Sequence, residues 1–155
     1  MKLGTLILVA ALTVASLASA PAFGSEMNDV LAVVSQYSDH FSKNDMKAAD
    51  SLCTDHTVII DDFSPHVWQG ATACADWSKA FVADNKSSGI AFGIIKLGKP
   101  WKVTVTAERA YAVFPITYTF KHNGNPTTSQ GVWTFALQKV SVGWRIAGWA
   151  FSLHP

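Results

Sequence analysis

The stretch from Arg109 to Leu153 constrains this chain most, because it reads as three long strands joined by two tight turns. Arg109 to His122 carries Phe114, Ile116, Tyr118 and Phe120 at every second position. That is the repeat of a strand with one buried face. Asn123-Gly124 follows, and both residue types tolerate the positive φ that a two-residue hairpin turn demands. Thr127 to Val140 runs back, Ser141-Val142-Gly143 turns the chain again, and Trp144 to Leu153 forms the last strand. Strands this long twist and curl when paired. Their concave side then needs a cover.

The first half of the chain supplies helices for that cover. Ser25 can cap a helix whose apolar positions, Met27, Val30, Leu31, Val34, Tyr37 and Phe41, recur every three or four residues. Asn44 or Asp45 caps a short second helix reaching Leu52. Val58 to Asp61 reads as a strand, and Gly70 opens a third helix carrying Cys74, Trp77 and Phe81. From Ile90 onward the pattern is strand, with Trp101 to Thr106 alternating cleanly. Helices first and a long antiparallel meander afterwards define an α+β domain: a cone-shaped, curved antiparallel sheet packed with three N-terminal helices. A cone closed by helices is a natural ligand cavity.

Residues 1–24 read as a signal peptide rather than part of the domain. Lys2 precedes an apolar run from Leu3 to Leu17 that is too short to anchor in a membrane. Cleavage is expected after Gly24, with the bond after Ala20 as the second choice, leaving residues 25–155 as one exported domain, periplasmic or secreted. The whole sequence holds 12 Lys and Arg against 11 Asp and Glu, so losing Lys2 with the leader leaves the two equal. Nucleic acid and anionic membranes both require a basic field, and neither is an expected partner. Cys53 and Cys74 are the only cysteines. In an exported chain an even count favours a disulfide, the alternative being two buried thiols. Neither spacing matches a metal site, and no cofactor motif is present.

Thr57 to Gly70, TVIIDDFSPHVWQG, places two adjacent carboxylates at the end of an apolar strand. Such acids are costly to desolvate and draw attention as candidate site residues. Several segments taken together resemble one family. Lys43-Asn44-Asp45, the strand ending in Asp61-Asp62, the helix with Trp77 and Phe81, Phe114-Pro115-Ile116 leading to Asn123-Gly124-Asn125-Pro126, and Trp144 to Trp149 are similar in order to the nuclear transport factor 2-like superfamily. That superfamily includes SnoaL-like cyclases and ketosteroid isomerases, and the resemblance implies a cystatin-like cone that often dimerises through its sheet. It also implies roles. Asp62 takes the position that resembles the isomerases' general base, and Tyr37 that of their oxyanion donor, so Asp62 is expected to face inward. Asp61 is then expected to point the other way, to solvent, Arg145 or Lys102. Trp133 stands where the isomerases carry a second acid, which weakens a faithful isomerase reading.

Trp133, His66, Trp68 and Tyr118 complete the expected pocket lining. His66 could pair with Asp62 across the turn, and rings on both faces of the last strand are expected to leave one set outside the cone, as a homodimer interface. Two functions follow. One is an exported, noncatalytic domain binding a small apolar molecule. The alternative is a cofactor-free isomerase, cyclase or dehydratase using Asp62 and Tyr37.

Overall fold

The computed structural model describes residues 20–154. Residues 1–19 of the expected leader lie outside the described residues. Three helices, α1 (Ala20–Ser42), α2 (Met46–Asp50) and α3 (Ala73–Ser87), pack on one curled sheet. Its strands are β1 (Cys53–Ile60), β2 (Val67–Gly70), β3 (Ile90–Leu97), β4 (Lys102–Val105), β5 (Arg109–His122), β6 (Asn125–Val140) and β7 (Gly143–Leu153). The order across the sheet is β2-β1-β7-β6-β5-β3, with β4 sharing the free edge of β5 beside β3. The sheet is mixed rather than wholly antiparallel, since β1 runs parallel to β7.

The hairpin signals act as read. Asn123 and Gly124 both take positive φ, 49° and 81°, and the β5–β6 ladder runs unbroken from Arg109↔Gln138 to His122↔Asn125. Pro115 lies inside this ladder without weakening it. Its carbonyl accepts from Gly98 on the β3–β4 side, and its missing N–H would point the same way, into the gap between those strands. Asp45 caps α2 by accepting from the Ala48 N–H, while Asn44 takes a positive φ of 58° at the end of α1.

Several boundaries differ from the sequence pattern. α1 is already helical at Ala20, so Ser25 is not its cap, the helix passes through both expected cleavage positions, and Met27 is exposed. Gly70 does not open α3. It ends β2, a strand paired antiparallel to β1 that supplies the far edge of the sheet, and α3 starts three residues later.

The largest correction concerns the last strand. Leu137 pairs with Ile146 but Ala136 pairs with Gly148, so Ala147 is an extra residue that reverses the alternation. Trp144 and Ile146 face the core before this bulge, and Trp149 faces it after. The rings of Trp144 and Trp149 therefore do not lie on opposite faces. A second irregularity sits opposite, in β1, where the four residues between Cys53 and Val58 face a single one in β7, Ala147. The buried Thr57 hydroxyl holds it by donating within reach of both the Thr54 and Ile146 carbonyls, at 2.8 and 2.9 Å. Gly148 is needed here because a Cβ would sit 2.7 Å from the Val58 carbonyl oxygen.

Covalent and polar ties fix the helices. Cys53 and Cys74 form a disulfide between the start of β1 and the first turn of α3. Ser78 donates to Asp50 at 2.8 Å, joining α3 to α2. Replacing both cysteines by serine is expected to cost roughly 3 kcal/mol of unfolding free energy in urea titrations. A cost near zero would show that packing alone holds this seam.

Candidate functional site

The site grows from strand parity. Thr57, Ile59 and Asp61 point inward from β1 and its exit, while Val58, Ile60 and Asp62 point out. Ile59 is fully buried and Asp61 is 6% exposed, so the inward acid is Asp61, reversing the expected orientation of the pair. Neither Arg145 nor Lys102 neutralises it. Arg145 instead donates to the Trp144 carbonyl. The Asp61 carboxyl accepts from the Trp77 indole N–H at 2.8 Å and from the Asp62 backbone N–H at 2.7 Å.

Around this carboxyl lies a cavity of about 120 Å³ between α1, α3 and the concave sheet. Its walls are mainly rings, including Phe41, Trp77, Tyr118, Trp133 and Trp149. Trp77 stacks on Phe81 at 5.0 Å and meets Trp149 edge-on at 4.7 Å, so the indole that binds Asp61 is itself held rigidly. Gly93 lets the Tyr118 ring lie close against β3, since a Cβ there would come within 2.7 Å of it. Asn85 Nδ2 and Trp133 Nε1 are buried without hydrogen-bond partners, and both residues line the cavity. Unpaired polar atoms of this kind mark a place where a ligand can complete the bonding.

Burial pushes the Asp61 carboxyl up to about 7, and the neighbouring Asp62 charge adds to the rise. The two N–H donors oppose it without cancelling it. Asp61 can therefore hold or release a proton close to neutral pH. Burial also pushes the Tyr118 hydroxyl up to about 12, so it remains a neutral phenol at physiological pH.

The other expected site residues divide. Trp133 and Tyr118 line the cavity as read. Asp62 also borders it, but from the exposed side of the turn. Tyr37 is fully buried outside the cavity wall, packed against Trp133, Phe135 and Trp149, with its ionisation pushed strongly up by burial. Asp62 and Tyr37 thus do not converge across a common space. His66 is exposed on a positive φ of 71°, and its Nδ1 lies 3.2 Å from the Asp61 carbonyl oxygen rather than against the Asp62 carboxylate. Trp68 is buried under β2 against Phe63, with ring centres 5.0 Å apart, and does not reach the cavity. Sequence reading missed Trp77 as a polar partner and Asn85 as a lining group. The signal for Trp77 was its place on the buried face of α3; nothing local pointed to Asn85.

A curled mixed sheet closed by three helices over an aromatic cavity is the architecture of the nuclear transport factor 2-like superfamily. Within it, the chain belongs to the SnoaL-like domain family, whose model matches residues 30–155. A ketosteroid isomerase-like protein from Erwinia carotovora atroseptica is 20% identical, covers 86% of this chain and 99% of its own, and superposes with a TM-score of 0.71. A nuclear transport factor 2-like superfamily protein from Salmonella enterica serovar Typhimurium is 18% identical, covers 86% and 94%, and gives 0.71. A nuclear transport factor 2-like protein with a cystatin-like fold from Novosphingobium aromaticivorans is 16% identical, covers 87% and 86%, and gives 0.70. At these identities the likeness is one of fold. No curated protein matches the chain.

Because folded Asp61 keeps its proton to about pH 7 while the unfolded carboxyl releases it near 3.8, the stability it confers is complete below the lower value. It is lost as pH rises through the higher one. Between pH 4 and 8, urea denaturation should show wild type losing on the order of a few kcal/mol relative to Asp61→Asn. Parallel pH profiles would show that Asp61 titrates normally.

Proposed function

We propose that this domain binds a small, mostly apolar molecule in the cavity beside Asp61. The observation that carries this reading is the concave, ring-walled space with unpartnered buried polar groups on its walls. Its volume of about 120 Å³ suits one ring rather than several, since an engineered apolar cavity of about 150 Å³ accommodates benzene.

A second reading has its own support. With its carboxyl poised near neutral pH inside the cavity, Asp61 is the group that could move a proton on a bound substrate, in an isomerisation, cyclisation or dehydration. The role assigned by resemblance to Asp62 moves to its neighbour, and Tyr37 takes no part.

Export as a periplasmic or secreted protein belongs to the same proposal. A disulfide suits an oxidising compartment. Cleavage after Gly24 would keep Glu26, whose carboxylate accepts from Lys139 and, at 2.7 Å, from the Trp144 indole, pinning the start of α1 to β6 and β7. Among the described residues no helix is long and apolar enough to cross a membrane. We further propose a homodimer formed through the outer sheet face, where Val58, Ile60 and Val67 lie side by side on β1 and β2 and are each about half exposed.

Benzene or cyclohexanol titrated into the protein should raise Tm, and Leu153→Trp, which fills the cavity from its wall, should abolish that rise while the protein stays folded. Equal shifts in both proteins would place binding elsewhere. Sedimentation should give a dimer for wild type and a monomer for Ile60→Lys; a wild-type monomer would end the dimer proposal.

A further inference from the structure

The charge of the ligand can be inferred from the same walls, and this step rests on the cavity being a binding site. Nine of the sixteen residues lining it carry aromatic rings. Its ionisable lining otherwise consists of Asp61, Asp62 and Asp84, and among the described residues no Lys, Arg or His lines it. A cation placed over an aromatic ring is attracted by the ring's quadrupole, most strongly where water is excluded. Asp61 is buried among these rings with two N–H donors and the neighbouring Asp62 carboxyl for partners, none of them a cation, and the ion pairs among the described residues involve other acids. A buried carboxyl in such surroundings either keeps its proton or takes a counter-ion.

Two further observations narrow the class of cation. Asn85 Nδ2 and Trp133 Nε1 belong to residues more than nine-tenths buried and lack partners, so they can meet an oxygen carried by the ligand. A hard metal ion would need a shell of oxygen ligands. These walls are mostly carbon, and among the described residues no group of three or more His, Cys, Asp or Glu is placed to hold a metal. The volume of about 120 Å³ limits the guest to a compact head group.

We propose that the cavity takes a small organic cation, an alkylated ammonium bearing a hydroxyl or ether oxygen, seated among the lining rings with Asp61 as its counter-ion. The cation replaces the proton on Asp61 and supplies the charge that the wall lacks. Asp84 and Asp62, more accessible to solvent, favour its entry and disfavour anions.

The test compares choline with 3,3-dimethyl-1-butanol, which has the same shape with carbon in place of the charged nitrogen, by calorimetry and by amide chemical shifts. Choline is expected to bind at least about tenfold more tightly than the neutral alcohol. Asp61→Asn should remove most of that preference and leave the alcohol's affinity unchanged. Should that variant fail to fold, Asp84→Asn, at a more exposed position, should weaken choline about two- to threefold and leave the alcohol alone. Equal or tighter binding of the alcohol would overturn the cation while leaving the cavity as a binding site. If neither compound perturbs the lining residues of wild type, the binding reading falls as well. A choline preference that survives intact in folded Asp61→Asn would overturn the role given to Asp61.

Discussion

The hydrogen bond from the Trp77 indole to the Asp61 carboxyl is the interaction on which the rest of the site depends. It joins the exit of β1 to the inner face of α3, and it is made where water is nearly absent. A neutral donor can orient a buried carboxyl without neutralising it. That leaves the acid with a raised affinity for protons, which an Arg or Lys in the same place would have abolished. The stacked Phe81 and the edge-on Trp149 fix the indole, so the orientation of the acid is set by packing as much as by the bond itself.

Two backbone irregularities make this arrangement possible. The extra Ala147 in β7 turns Trp149 inward, where it contacts Trp77 and Trp133. Without it, strict alternation would put Trp149 on the outer face and leave the cavity without that wall. The looped-out residues of β1, capped by Thr57 and admitted by Gly148, set the parity that brings Asp61 inward. Both devices lie on the one parallel pairing in the sheet. The helices then close the cone around them, with the disulfide holding α3 at the end where the strand begins.

Much of the fold was legible because it rests on local rules. Alternation over β5 and β6 and the Asn123-Gly124 turn define the long hairpin, and Asp45 marks α2. The face of β1 was not legible. Val58, Ile59 and Ile60 are all apolar, so no alternation shows which side is buried, and Val58 and Ile60 in fact lie outside. The resemblance to the isomerases then selected Asp62, one residue from the buried acid. The bulge at Ala147 left no local mark either, because it answers a mismatch between strands distant in sequence. Trp133 and Tyr118 were found by their places on the hairpin, whereas Trp68 and His66 were misplaced because β2 is short and its pairing with β1 takes them away from the cavity.

The site thus combines a ring-walled space, a deeply buried acid and unpaired polar atoms on Asn85 and Trp133, a set that can hold a guest and could also exchange a proton with it. Both uses depend on the ionisation of Asp61, and so does the identity of the guest's charge. The most direct test is to follow the side-chain carboxyl carbon resonances of Asp61 and Asp62 by NMR across pH in the wild-type protein. A midpoint near 7 for Asp61 is the predicted result, with the resonance moved further by loss of the indole donor in Trp77→Phe. A midpoint near 4 for Asp61 would contradict the account, because the carboxyl would then be an ordinary solvated acid and the cavity around it would have no special chemistry.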